Sequence, residues 1–385
     1  MPTSRLIALI AGNFFVATSF MAVGGLLNEI AAALDISVER AGLLIAAFGV
    51  SAAICAPVLA TLGSHIDRRK LLTASMAVCA IANIGSAFSQ TYDQLLWARI
   101  LAAVTSAVYT PQVAATVSML VPENERAPTL GKLMVGWAIG SVVGNPLSGM
   151  IGSTFGLRMS FGFIGVGSAV NAAFLWGWIP AGVRTPPLNL ERWYQVFKSP
   201  ALRWLTAATA LTNVGGSVMF SFLAPIAKAV LDVSGAMLAA LFFVSGVGGL
   251  IGNVLSVRMV RKVGAANVAY KCNVAAAAMM LVWPLAAGWL GAVFVVQFLW
   301  SLGGAGFPAV QQARLVAVAP LLAGATIALN SSVTYLGGSA GATIGATVWT
   351  LLPPRFIPWV GLLFIVAALV CSVRGEKAAR ELPPG

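Results

Sequence analysis

Charge is what this sequence has least of. Only 9% of its 385 residues are Asp, Glu, Lys or Arg, against roughly 25% in an ordinary soluble domain. So few charges cannot cover a water-facing surface, and a soluble fold is excluded. Histidine occurs once, as His65, which excludes a multi-histidine metal centre. Cys55, Cys79, Cys272 and Cys371 each lie in an apolar run, with no CxxC pair and no metal-like spacing. They read as small buried hydrophobes. An integral-membrane enzyme needs acid–base or metal groups gathered at one face, and the sequence has neither an HExxH motif nor paired carboxylates in its apolar runs. A channel needs a charged ring or a filter loop, and neither is visible. No catalytic residue, cofactor or metal is expected.

What is present is apolar: 59% of the residues are hydrophobic. A bilayer core of roughly 30 Å is crossed by about 20 residues at about 1.5 Å each. Apolar runs between charged or Pro/Gly-rich breaks predict spans at roughly 6–27, 41–62, 71–89, 94–120, 130–152 and 159–179. A second set follows at roughly 202–227, 236–257, 266–287, 290–312, 321–350 and 357–373. Each must be a helix, because a segment alone in lipid has to satisfy its own backbone hydrogen bonds. The first run, of about 22 residues, exceeds the roughly 7–15 of a signal-peptide core and reads as an uncleaved span.

The net charge of +12 invites a nucleic-acid reading, but the cations sit in short clusters between apolar runs, not on one patch. They report orientation instead. With the N-terminus cytoplasmic, 18 of the 23 Lys and Arg residues fall in inner segments, Arg68, Arg126, Arg258 and Arg314 among them. Four (Arg40, Arg158, Lys228 and Arg355) fall outside, and Arg99 lies within a span. Both termini are expected inside a cell inner membrane. Residues 181–200 carry Pro186, Pro187, Arg192, Trp193, Tyr194, Phe197 and Lys198, a mixture suited to a linker helix on the inner membrane surface.

The halves repeat. Leu34-Asp35-Ile36-Ser37 recurs as Leu231-Asp232-Val233-Ser234, an offset of 197 residues. The same offset carries Gly49 to Gly246, Pro111 to Pro308, Gly140 to Gly337 and Gly144 to Gly341. The expected domains are a bundle over 1–180, a linker over 181–200 and a second bundle over 201–385. The fold class is all-α membrane protein, with twelve transmembrane helices in two six-helix bundles related by pseudo-two-fold symmetry. Such duplicated architectures bind substrate near the midplane.

Two motifs carry a family likeness. After the second predicted span comes Gly63-Ser64-His65-Ile66-Asp67-Arg68-Arg69-Lys70, close to the pattern G-x-x-x-D-R-x-G-R-R/K but without the second glycine. In the fifth lies Gly140-x-x-x-Gly144-Asn145-Pro146-x-x-Gly149, close to G-x-x-x-G-P-x-x-G-G but with Asn145 and Ser148 replacing Pro and Gly. Over nearly its whole length the chain resembles major facilitator superfamily transporters of the twelve-span drug and arabinose-type efflux branch. The resemblance implies that the Asp67 loop is a cytoplasmic latch. An anion at a helix N-terminus gives that role a physical basis, and a basic loop that only fixes orientation is the simpler alternative. Gly63, Asp67, Arg68, Gly140, Gly144 and Pro146 are the gating candidates. Gly25-Leu26-Leu27-Asn28-Glu29-Ile30 resembles the end of the first span in arabinose-type permeases. Those relatives often carry an acid near the position of Ser19, and its absence weakens proton coupling there.

Arg99 is the one charge well inside a predicted span. An arginine there costs roughly 2.5–3.5 kcal/mol, which makes it a functional candidate; snorkelling over about five residues to the outer surface is the alternative. Its helical face continues through Ser106 and Thr110. Asn13, Asn213, Phe220, Gln297, Trp300, Asn330 and Thr334 fall on other span faces, and complete the substrate-binding candidates. Each taken singly reads as an interhelical hydrogen bond or packing. Together they predict a weakly polar, aromatic pocket for a small uncharged or amphipathic molecule. The expected function is secondary transport, with export favoured and protons as the candidate coupling ion; a facilitator or importer of a small metabolite is the alternative. The expected partners are the substrate and the lipid bilayer, with no nucleic acid and the chain acting as a monomer.

Overall fold

The computed structural model describes residues 2–63, 65–122, 129, 132–133, 135–184, 190–233 and 235–381. Ser64, Arg126, Pro186, Pro187 and Ser234, used above, lie outside the described residues. The chain divides into two compact units, Met1–Leu188 and Asn189–Gly385. Among the described residues there is no strand, as a chain with few polar partners outside its own backbone requires.

The first unit comprises α1 (Thr3–Gly25), α2 (Leu27–Leu34), α3 (Val38–Gly63), α4 (Arg68–Phe88) and α5 (Tyr92–Leu120). A π-helical turn (Gly140–Gly144) then leads into α6 (Asn145–Phe155), followed by α7 (Leu157–Trp178). In the second unit α8 (Leu190–Lys198) precedes α9 (Pro200–Phe220), α10 (Leu223–Leu231), α11 (Gly235–Val263) and α12 (Ala265–Ala286). The last four helices are α13 (Leu290–Gly304), α14 (Phe307–Val318), α15 (Ala323–Leu351) and α16 (Ile357–Arg380).

Among the described residues, 10 helical stretches are long and apolar enough to cross a membrane, α9–α10 and α13–α14 each counting as one. Two predicted spans fall outside that set. The fifth, 130–152, includes residues outside the described ones; its described part carries the π turn, just before Pro146, which lacks an N–H and crowds the carbonyl four residues back. The eleventh, α15, has 29 residues and is long enough, but Gly, Ser and Thr dilute its hydropathy.

Three predicted spans are broken helices. α1 stops at Leu26 and restarts as α2; α9 stops at Ser221 and restarts as α10. Both broken segments end on a left-handed aspartate, Asp35 (φ 50°) and Asp232 (φ 47°), the two positive-φ non-glycine residues among those described. Their N–H groups donate to Ala31 and Lys228 carbonyls, again 197 residues apart. The tenth predicted span is broken at Ala305–Gly306, where glycines before Pro308 withdraw helix propensity. Its counterpart α5 keeps Pro111 inside an unbroken helix.

In the first unit α1 packs on α7 and on the π turn. Leu9, Val16, Leu72, Met76, Tyr109 and Leu175 form its core. In the second unit α9 packs on α15 and α16, around Val218, Leu223, Met280, Trp283 and Ile365. Large apolar side chains such as Ile54, Phe88, Leu285 and Leu363 point outward, which suits lipid and not water. On α8 Val196 is buried while Tyr194 and Phe197 are exposed, as an amphipathic helix beside a bundle requires.

Arg314, assigned to an inner segment beyond the tenth predicted span, lies within α14, which runs past that span, and is 3% exposed. Its Nη2 meets Glu376 at 2.9 Å and the Ser372 carbonyl at 3.0 Å, and its Nη1 donates to Ser372 Oγ at 2.7 Å. Pairing explains its burial. Arg68 is also fully buried, as the first residue of α4 and just ahead of the third predicted span.

Candidate functional site

In the first unit the polar groups gather around α1. Arg99 is fully buried. Its Nη1 donates to Asn83 Oδ1 at 3.2 Å, and its Nη2 donates to the Ser19 carbonyl. The guanidinium lies over the rings of Phe48 (5.1 Å) and Phe161 (5.7 Å). Ser19 and Asn83 are hydrogen-bonded to each other at 3.0–3.2 Å. Five helices, α1, α3, α4, α5 and α7, therefore meet at one cation. Its charge is met by a carbonyl, an amide oxygen and two ring faces; among the described residues no carboxylate takes part. The side chain is turned into the unit and does not snorkel outward.

Thr110 Oγ1 donates to Asn13 Oδ1 at 3.0 Å, and Asn13 Nδ2 donates to the Leu133 carbonyl at 3.1 Å. Ser106, between Arg99 and Thr110 on the same face, is buried. The predicted polar stripe of α5 thus runs along α1, with Arg99 at Ser19 and Thr110 at Asn13. Most of its hydrogen-bonding capacity is spent inside the unit.

The second unit presents a different surface. Phe220 stacks on Trp300 at 6.3 Å and 19°, and meets Phe242 edge-on at 5.9 Å. Among the described residues, the indole N–H of Trp300 is buried without a hydrogen-bond partner, and so are both polar atoms of the Gln297 amide. An unmet donor costs roughly 1–3 kcal/mol unless something reaches it. Nearby in sequence register, Thr209 Oγ1 donates to Asn330 Oδ1 at 2.9 Å, and Asn213 Nδ2 donates to the Thr209 carbonyl at 2.8 Å. Thr334 Oγ1 returns to the Asn330 carbonyl at 2.8 Å, a bond within its own helix. The structure thus joins Phe220 to Trp300, and Asn213 to Asn330 through Thr209. Asn83, Phe242, Thr209 and the Thr212–Asn273 pair (3.0–3.2 Å) had not been singled out. Intramembrane amides were the signal available for Asn83 and Asn273.

The gating candidates fall in two places. Asp67 caps α4: its Oδ1 accepts from the Lys70 N–H at 3.3 Å, and its Oδ2 accepts from the Gly182 N–H just beyond α7. The Arg68 N–H donates to the Val183 carbonyl at 2.9 Å. Its side chain donates to the Gly63 carbonyl at 3.1 Å and to Gln112 Oε1. The loop therefore fastens the start of α4 to the segment after α7. Gly140 and Gly144 lie against α1, where a Cβ at Gly140 would stand 2.7 Å from the Phe14 carbonyl. Pro146 sits at the first turn of α6. In the second unit Gly337 and Gly341 lie equally close to the Ala210 and Val214 carbonyls of α9. The repeat is therefore one of contacts as well as of sequence.

Comparison with known proteins agrees with this architecture. Residues 9–342 match the sequence profile of the Major Facilitator Superfamily. The chain is 25% identical to the "Probable sugar efflux transporter" of Mannheimia succiniciproducens, covering 95% of this chain and 91% of that one. It is 26% identical to the "Inner membrane transport protein YdhP" of Escherichia coli, covering 98% and 97%. Among solved structures, it superposes on a bacterial homologue of the human lysosomal transporter Spinster with a TM-score of 0.75, at 16% identity and 100% coverage of both chains. Against the human organic anion transporter MFSD10 the TM-score is 0.78, at 16% identity, covering 97% of this chain and 100% of that one. At that identity the structural likeness speaks for the fold alone.

Proposed function

The chain belongs to the major facilitator superfamily, and from that membership we propose that it is a secondary transporter exporting a small uncharged or amphipathic molecule by alternating access. The observation that carries the substrate class is the aromatic group Phe220, Phe242 and Trp300 with its unpaired indole N–H. Ring faces take the apolar side of a ligand. Trp300 Nε1 and the Gln297 amide take its hydrogen-bonding edge. A sugar-like molecule has both features, and a relative whose name gives sugar efflux supports the same reading. Asn13, Arg99, Ser106, Thr110, Asn213, Asn330 and Thr334 act as the supporting polar frame. Asp67, Arg68, Gly63, Gly140, Gly144 and Pro146 act in gating. Residues 1–180 and 201–385 are the two working bundles, joined by 181–200. The chain sits in the cytoplasmic membrane with both ends inside, as its charge bias supports.

A second reading, facilitated passage without a coupling ion, rests on one observation. Among the described residues no aspartate or glutamate is buried, and proton exchange ordinarily uses an embedded carboxylate. Counterflow in vesicles, run with and without a pH gradient, separates the two: stimulation by the gradient supports antiport, and indifference supports facilitation. The substrate panel is sugars, nucleosides, amino acids and lipophilic compounds. Trp300→Ala is expected to raise KM at least about fivefold with protein level unchanged. If the variant matches wild type for the transported compound, the aromatic group is not the substrate site.

A further inference from the structure

Between α11, α12 and α13 the second unit leaves a cleft of about 330 Å³. Its walls are apolar, formed by Leu255, Met259, Val268, Met279, Leu299 and Leu302. Ser256 also lines it, but its hydroxyl is engaged with Cys272 Sγ at 3.5 Å. Lys271 is the one charged residue of the lining and is exposed. The shape follows from small residues: Gly252 lies directly against the Leu302 backbone, and a Cβ at Gly303 would come within 2.6 Å of Ala275. These approaches pull the helices together at some levels and leave the cleft at others.

The electrostatic setting is one-sided. Arg258, Arg261 and Lys262, all exposed, end α11 beside the start of α12. From Val233 to Gly375 the sequence contains no aspartate or glutamate, and Glu376 is already paired with Arg314. The repeat sharpens the contrast. In the first unit Asp67 supplies a carboxylate to the N-terminus of α4. Its counterpart 197 residues later is Gly264, which caps α12 with no side chain. Lys271 lines the cleft from within the second turn of α12, and helical side chains tilt toward the N-terminal end of their helix, which is the end that the basic turn precedes.

We propose that this cleft binds one anionic phospholipid, an acyl chain lying along the apolar wall and the phosphate held by Lys271 and the adjacent basic turn. Selection among lipids rests on the headgroup, because bilayer hydrocarbon solvates the chain equally well. The site is independent of the transported substrate.

The test is lipid retention by the full-length protein in nanodiscs of mixed phosphatidylglycerol and phosphatidylcholine, read by native mass spectrometry. Wild type is expected to retain phosphatidylglycerol about fivefold over phosphatidylcholine, in line with one or two basic contacts at a lipid surface. Lys271→Gln and Met279→Trp, which remove the charge and fill the cleft, should each abolish the preference. Lys228→Gln, an exposed cation on the other side of the unit's sequence, should leave it intact. In wild type, phosphatidylglycerol with a diazirine-bearing chain should crosslink to residues 252–259 or 268–279, and millimolar inorganic phosphate should not displace it. Retention that survives Lys271→Gln, or crosslinks spread evenly over both units, would overturn the proposal. The crosslinking arm decides the matter even where a variant fails to fold.

Discussion

A guanidinium without a carboxylate has to be held by dipoles and ring faces, and Arg99 is held by both. The fork donates to two acceptors on different helices, the Ser19 carbonyl and Asn83 Oδ1. Each charge-assisted bond is worth about 1.5–3 kcal/mol, which offsets an insertion cost of similar size. Lysine carries the same charge but concentrates it at one point, so it cannot bridge both acceptors. Arg99→Lys is therefore expected to keep membrane insertion and to lose about tenfold or more in transport, equivalent to roughly 1.4 kcal/mol. A wild-type rate would mean that the charge alone matters. Asp67 makes the complementary case. Asparagine can keep the cap to the Lys70 N–H about as well as aspartate, but it puts a donor where Oδ2 accepts from the Gly182 N–H, so Asp67→Asn should cost about 1 kcal/mol and slow transport several-fold. Asp67→Ala also loses the cap, costing about 1 kcal/mol. If both variants transport like wild type, the loop only fixes orientation. Arg99 was legible in the sequence because a lone charge in an apolar run is costly enough to demand a reason. Its pairing with Asn83 and Ser19 was not, because a single amide or hydroxyl in such a run carries no sign of its partner. The pairing of Arg314 was hidden for a related reason: its partner Glu376 is 62 residues away, and only the fold brings them together.

Where α1 meets the π turn, and α9 meets α15, glycine sets the distance between helices. Gly140 faces the Phe14 carbonyl and Ala17, and Gly337 faces the Ala210 carbonyl and Asn213. A methyl group at either place must push the helices apart, and overpacking of this kind costs about 1–3 kcal/mol. Gly42 in α3 has no neighbouring atom within 4 Å of an added Cβ, so alanine there should stabilise by up to about 1 kcal/mol through helix propensity. Unfolding of the purified protein in detergent should order the variants as Gly42→Ala, wild type, then Gly140→Ala and Gly337→Ala together at the bottom. Loss in only one of the last two would mean that the units are not equivalent at this contact. The four-residue glycine spacing that permits these contacts was visible in the sequence, and the recurring Leu-Asp motif falls at the ends of α2 and α10. The break at Ser221 was invisible, since only one serine interrupts an apolar run there, whereas the break at Leu26 lies between Gly24-Gly25 and Asn28-Glu29, at the end of the first predicted span. The break at Ala305–Gly306 had its signal, three glycines before Pro308, but an apolar run reads as one span until packing decides otherwise.

Duplication leaves each unit with its own core, while the charges belong to the chain as a whole. Eighteen basic residues on one expected side against four on the other is a bias that no single loop controls. This separates two roles that the Asp67 loop has in the sequence. Arg69 and Lys70 are the loop cations that are not fully buried, and replacing both with Gln leaves sixteen against four. Orientation is expected to survive that change, whereas a loop acting chiefly as a topology signal would invert part of the chain. The measurement is labelling of single cysteines after Cys55, Cys79, Cys272 and Cys371 are replaced by serine or alanine. Gln90→Cys, exposed between α4 and α5, should react with an impermeant maleimide added outside intact cells. Gln195→Cys, exposed on α8, should react only once the membrane is opened. Both patterns should be the same in the Arg69→Gln, Lys70→Gln background. Outside labelling at position 195 in the otherwise unaltered chain would contradict the orientation itself, and with it the placement of the Asp67 loop on the cytoplasmic side, where a gating role is assigned to it.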